Sequence, residues 1–458
     1  MVPSLMRLPK ELHLEVIEML HKEGHSLLNM SSTCSFYRSL LASYVFRDIH
    51  FHNTKKNSAS VLALTKSDCR KHVQTLDFTC ILSYIEDNSD NSDEDREETN
   101  ELENDGNEPT AAARDKKYDD PVAVYIILSD LRRFPHLHTL SMELRLDQAW
   151  DKNVDLGIFY MFADDESHGQ AEEAERDVPW RAQVKRVYTS LAQNTESPIK
   201  ELDIRNLMPR EVTTWKTPDF HRFLGTLERF KLSLMGGENG TGWHINTQDG
   251  YIMFTEKLDG FFFNHLSNVL DFTFKPDETG PVGLEGMRHC DLALSSDQMP
   301  HLRTLFLENV FICPELVSFI VSHAEILQSV TFHNCFGSIE GMARNGIYWE
   351  RLFTLWADSN PQKLQHLEIL PYENIFEYEF ETSNDDGYEA EIERTRQMLE
   401  ENSKRRHFEY KYLDDKYGMV FRDDREVRSS FFRGGDQQAY GRLMNIVKSN
   451  VEGYVSTE

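Results

Sequence analysis

Apolar and polar positions follow two different periods along this chain. At its beginning, Leu8, Leu12, Val16, Ile17 and Leu20 recur at three- and four-residue spacings, and Pro9 stands where a first helical turn tolerates proline. That spacing predicts one amphipathic helix. After the polar joint HKEGHS comes a second apolar set of Leu27, Leu28, Met30, Cys34, Phe36, Tyr37, Leu40 and Leu41. Ser31, Ser32 and Thr33 interrupt it and are suited to capping a new helix. Two or three short helices would bury these faces together.

Beyond residue 70 the period changes to an apolar residue followed three and then five positions later by two more, the last two at strand alternation. The pattern occurs at Val73-Leu76-Phe78, Leu137-Leu140-Met142, Ile199-Leu202-Ile204 and Leu227-Phe230-Leu232. It recurs at Val269-Phe272-Phe274, Leu302-Leu305-Leu307, Leu327-Val330-Phe332 and Leu364-Leu367-Ile369. Helix-period stretches lie between, such as Trp180, Val184, Val187 and Leu191, or Trp349, Leu352, Phe353 and Trp356. Short strands alternating with amphipathic helices predict an α/β fold with parallel strands and helices outside, stacked as a solenoid.

Charge changes the picture in three places. Of 77 acidic and 49 basic side chains, net -28, the stretches Glu86 to Glu108, Asp164 to Asp177 and Glu377 to Glu401 carry -11, -6 and -8. The remainder is close to balance. Residues 86–120 contain almost no apolar side chains and are expected to form a disordered insertion, because burial there cannot offset the entropy of ordering. A shorter solvated insertion is expected at 164–177. In the last section, EAEIERTRQMLEENSKRR reads as a charged helix, HFEYKYLDDKYGMVF as a hairpin about Asp414 and Asp415, and Tyr440 to Val447 as a closing helix.

The acidic excess argues against a nucleic-acid or anionic-membrane binder, whose surfaces need clustered Lys and Arg. The first residues hold no long apolar run before a cleavage site, no stretch nears the ~18 apolar residues of a membrane span, and the six cysteines form no CxxC pair. These features are expected of an intracellular protein, cytoplasmic or nuclear, with free thiols.

The repeated pattern resembles leucine-rich repeats over residues 70 to 371, although its spacing is irregular and usually exceeds the roughly 20–29 residues of that family. At the offset of the repeat asparagine that satisfies loop amides only Cys335 falls, while Asn206 and Asn309 lie one position early, so loop amides are expected to find other partners than an asparagine ladder. The opening segment resembles the F-box, through Leu8-Pro9-Lys10-Glu11-Leu12, then Val16-Ile17, Leu20, Leu27-Leu28, Cys34, Tyr37 and Leu40. That family docks a Skp-type adaptor and through it a cullin-RING ubiquitin ligase. The resemblance implies a substrate-recognition subunit of an SCF-type ligase, with no catalytic residues or cofactor of its own. Leu8, Pro9, Leu12, Val16, Ile17, Leu20, Leu27 and Leu28 would meet the adaptor, and the repeats would hold a protein target. The organisation expected is 1–50 for docking, 51–371 for the repeats with their insertions, and 372–458 as a terminal cover.

Two alternatives remain: a repeat scaffold without a ubiquitin role, in which the first helices only cap the repeats, and an α/β enzyme. For the enzyme, no G-x-S-x-G elbow, phosphate loop or H-E-x-x-H helix occurs. Gly236 to Gly242 reads as a flexible turn rather than a phosphate cradle. His50 and His52, like His136 and His138, put two imidazoles on one strand face, but no third zinc ligand is indicated.

Overall fold

The computed structural model describes residues 8–23, 25–82, 121–146, 159, 169–284, 290–338, 347–370, 386–401 and 405–455. The chain forms two compact units, residues 1–148 with 174–199, and residues 149–173 with 200–458. Both are α/β.

In the first unit, β1 (Asp48–His52), β2 (Thr75–Leu82) and β3 (Thr139–Leu146) pair in parallel and in chain order, with Phe51 opposite Phe78 and Phe78 opposite Met142. Alternation places Leu76, Phe78, Cys80 and Leu82 of β2 inside, while Thr75, Asp77 and Thr79 face outward. Each fully buried aliphatic or aromatic side chain contributes roughly 1.5–3 kcal/mol. The helix Val122–Ser129 packs on both Lys55–Leu64 and Pro179–Ala192. Buried amides close the loops: Asn53 Nδ2 donates to Ile81 O (2.8 Å) while Ile81 N donates to Asn53 Oδ1 (2.9 Å).

The second unit carries β4 (Glu201–Leu207), β5 (Arg229–Leu234), β6 (Asp271–Lys275), β7 (Thr304–Glu308), β8 (Ser329–His333) and β9 (His366–Leu370), again parallel and in chain order. The register aligns Leu202, Phe230, Phe272, Leu305, Val330 and Leu367 in one inward row. The last two residues of all eight apolar triads thus fall on β2 to β9, the first lies two positions before each strand, and every triad residue except Ile369 is buried. Helices begin where proline leads, at Pro179, Pro218 and Pro314, since proline has no N–H to satisfy in a first turn.

The loops after the strands correct the expectation about asparagine. Asn206, Asn309 and Asn334 all adopt left-handed backbone (φ 50, 55 and 48°), a conformation asparagine tolerates better than most side chains. Asn309 Nδ2 donates to Pro276 O (2.8 Å), Asn334 Nδ2 donates to Asn309 Oδ1, and Lys411 Nζ donates to Asn334 Oδ1 (3.2 Å). An amide ladder exists, one residue earlier than the repeat offset, with Cys335 Sγ beside it 3.5 Å from Leu307 O. Parallel bridges then join Val282 to Val310, Phe311 to Phe336 and Gly337 to Tyr410.

Towards the C-terminus come the helix Asp386–Glu401, an antiparallel hairpin of β10 (Lys411–Leu413) and β11 (Val420–Arg422), and the helices Asp424–Arg433 and Gly435–Val455. The last helix packs along Trp349–Asp358. The buried Asp436 carboxylate fastens this junction by accepting from Tyr410 Oη (2.8 Å), Glu350 N (2.7 Å) and Ser430 Oγ.

Two further expectations change, and a third falls where the structure gives no description. Residues 170–177 are a helix (Gln170–Asp177) rather than a solvated insertion, with Glu175 buried and paired to Lys185 at 2.8 Å. Ala, Glu and Arg favour helix, which net charge does not report. The boundary at residue 50 falls inside β1, whose Phe46-Ile49-Phe51 spacing repeats the triad pattern below residue 70. The insertion expected at 86–120 lies outside the described residues.

Candidate functional site

The opening segment folds as α1 (Lys10–Lys22), α2 (Leu28–Thr33) and α3 (Ser35–Val45). Pro9 O accepts the His13 amide (3.2 Å), so the helix starts at the proline as the pattern required. Ser31, Ser32 and Thr33 do not cap α3. Their hydroxyls donate to the carbonyls of Leu28, Asn29 and Met30 (2.8 Å each), and the extended Cys34 (φ -159°) makes the joint. Ile17, Leu27, Tyr37 and Leu41 form the module's core, with Leu20, Met30, Cys34 and Leu40 packed around them. His13 is buried in the same layer, edge-on to Phe36 (5.2 Å) and Tyr37 (5.4 Å), with Nδ1 3.2 Å from the Tyr37 hydroxyl. Burial pushes that phenol above its ordinary pKa, with the neighbouring Cys34 adding to the rise.

One turn of the wheel away, α1 carries a second apolar stripe that this core does not use. Leu12, Val16 and Met19 stand at i, i+4 and i+7 and are 42, 39 and 62 % exposed. Leu8 precedes them at 38 %, and α2 and α3 add Leu28 (61 %) and Phe36 (38 %). Glu11, Glu15 and Glu18 border the stripe, with Glu18 bonded to Lys22 at 3.0 Å.

Of the eight residues assigned to docking from the sequence, Leu8, Pro9, Leu12, Val16 and Leu28 are therefore exposed and Leu20 is half-buried. Ile17 and Leu27 are buried in the module's core, because the same helices need them to hold together. Sequence reasoning missed Met19 and Phe36 as outward positions. The i, i+4, i+7 relation of Leu12, Val16 and Met19 carried the signal for the first.

The outward faces of the strands form a second surface. In the second unit, Asp203, Lys231, Thr273, Phe306, Thr331 and Glu368 align across six strands. Phe306 is flanked by Thr273, Thr304 and Thr331, with Lys275 Nζ 4.7 Å from its ring centroid. The charges are mutually paired. Glu201 accepts from Arg229 Nε (2.8 Å) and Lys231 Nζ (2.6 Å), and Glu308 meets Lys275 (3.0 Å) and His333 (3.1 Å). Burial works to raise the Glu201 carboxyl, yet Lys231 and Arg229 outweigh it and hold the group below its usual range.

The glycine loop and the histidine pairs have internal partners. Glycine-loop amides are consumed internally: Thr241 N and Trp243 N donate to Asn239 Oδ1 (3.0 Å each), and Gly237 N to Thr279 Oγ1 (2.8 Å). His50 Nδ1 pairs with Asp77 (3.0 Å) and His138 Nδ1 with Thr139 Oγ1 (2.9 Å). Among the described residues no three His, Cys, Asp or Glu side chains cluster as a metal site. Burial pushes the Cys290 and Cys335 thiols up to about 12, which withholds the reactive thiolate. Among the described residues no helix is long and apolar enough to cross a membrane. Compared with known proteins, the chain matches no family model and no curated protein.

Proposed function

We propose that the protein is the substrate-recognition subunit of an SCF-type E3 ubiquitin ligase, acting inside the cell. In this reading the first helices are an F-box that docks a Skp-family adaptor, and the parallel strands with their outer helices are an irregular leucine-rich-repeat-like solenoid that holds a protein target. The carrying observation is the Leu12, Val16 and Met19 stripe, left exposed on a helix whose neighbouring stripe already builds a core. A helical face with i, i+4, i+7 anchors is a form that partner grooves accept. The asparagine ladder and in-order parallel strands support the repeat reading. The protein would supply positioning rather than chemistry.

The second reading, a cap on the repeats without a ubiquitin role, has one observation in its favour: α3 also packs on the turn Asp68–His72. Affinity purification separates the two. Wild type should capture adaptor and cullin together, and Leu12→Glu with Val16→Glu should lose both while melting unchanged. Capture of neither by wild type, or undiminished capture by the folded variant, leaves only the scaffold.

A further inference from the structure

The second unit holds a cavity of about 190 Å3 beside the end of β9. That is far more than the roughly 15 Å3 needed by one water and short of the ~300 Å3 at which drug-sized pockets begin. Ile369, Leu370 and Leu399 give it an apolar side, Arg405 and Arg406 give it a cationic one, and His407 lies beside them.

Glu409, also in the wall, does not balance the arginines. Its carboxylate is engaged by His407 Nε2 (3.3 Å) and Arg422 Nε (3.3 Å). Burial works to raise its pKa, and His407, Arg422 and Lys411 together outweigh that, so it stays ionised within its own pairing. The two arginines are held by uncharged groups instead. Arg405 Nη2 donates to Phe431 O (3.0 Å), and its guanidinium lies 4.2 Å from the Phe431 ring centroid. Its Nε is buried and, among the described residues, has no hydrogen-bond partner. Arg406 Nη1 donates to Ile369 O (3.3 Å), and its guanidinium is 5.7 Å from the Tyr440 ring centroid. Among the described residues neither has a carboxylate partner. Guanidinium cannot shed its proton, so two fixed positive charges line a cavity with one apolar side.

We propose that this cavity binds a small organic anion, a carboxylate or phosphate group on a short apolar body. The anionic oxygens would meet the Arg405 and Arg406 forks, whose geometry matches a pair of oxygens. The body would lie against Ile369, Leu370 and Leu399. This inference does not depend on the ubiquitin reading.

Calorimetric titration of the full-length protein tests it with benzoate, phenyl phosphate, inorganic phosphate and benzylamine. Benzoate or phenyl phosphate should saturate a single site at least about tenfold more tightly than benzylamine, and the tighter of the two names the anionic group. Inorganic phosphate, lacking the apolar body, should bind more weakly than phenyl phosphate. Arg405→Gln with Arg406→Gln should weaken binding by about tenfold or more. Leu399→Trp, which fills the cavity and keeps both charges, should block binding too, and it carries the test alone if the double variant does not fold. The proposal is overturned if wild type saturates with neither anion at millimolar concentration, if benzylamine or inorganic phosphate binds as tightly, or if a folded variant retains full affinity.

Discussion

Leu12 and Ile17 are both aliphatic and share one helix, yet they are 42 % and 0 % exposed. Their substitution should therefore separate fold from docking. Ile17→Ala removes a core anchor and should cost about 2–4 kcal/mol in urea unfolding, whereas Leu12→Ala should stay within about 1 kcal/mol of wild type. Equal costs would place Leu12 in the core and undo the docking face. A second residue-level expectation concerns the stacked imidazoles of His221 and His265, whose ring centroids are 3.4 Å apart. Burial, then the His221 neighbour, lowers the His265 pKa below the ordinary 6.5, against the opposing pull of the Gly260 carbonyl and Asp259. The folded state thus prefers neutral His265, and the unfolded chain takes up its proton first as pH falls. The stability this confers is present above about pH 6.5 and is lost as pH falls from there through the folded pKa. In denaturant titrations at pH 5 and pH 7, His265→Gln should show a smaller difference in midpoint than wild type. An unchanged difference would remove the effect from this residue.

At the scale of elements, every strand of the large sheet after β1 was legible from spacing because a strand's alternation is a property of its own few residues. The triads put β2 to β9 in place, and the hairpin and final helix form where their patterns put them. The amide ladder was not legible. The family offset points to the third position after the last inward residue, whereas Asn309 and Asn334 sit at the second, in left-handed backbone. Asn309→Ala should cost about 2 kcal/mol or more, since it orphans the Pro276 carbonyl and the Asn334 amide and puts alanine in a left-handed conformation that asparagine tolerates better. Asn309→Gly keeps the backbone freedom, so the gap between the two variants measures strain separately from lost bonds. No loss for either would show that the ladder does not stabilise these loops.

For the whole molecule, the proposed function divides labour between two surfaces. The exposed apolar stripe of α1 lies in the first unit, and the outward row centred on Phe306 lies in the second. Phe306→Glu on this face should leave melting and adaptor capture unchanged while reducing capture of the protein target, as read by quantitative mass spectrometry of purified complexes. Loss of the adaptor instead would show that the two functions are not carried by separate faces. By itself the sequence determined the α/β class, the parallel strands, the inward triads and the helical opening, because backbone geometry fixes those periods within a few residues. Only the tertiary structure decided which apolar stripe of α1 became core and which stayed exposed, which asparagines stacked, and that Arg405 and Arg406 line a cavity whose one acid, Glu409, is paired elsewhere. Those outcomes depend on groups brought together from distant parts of the chain, and no local period encodes what a side chain will meet there.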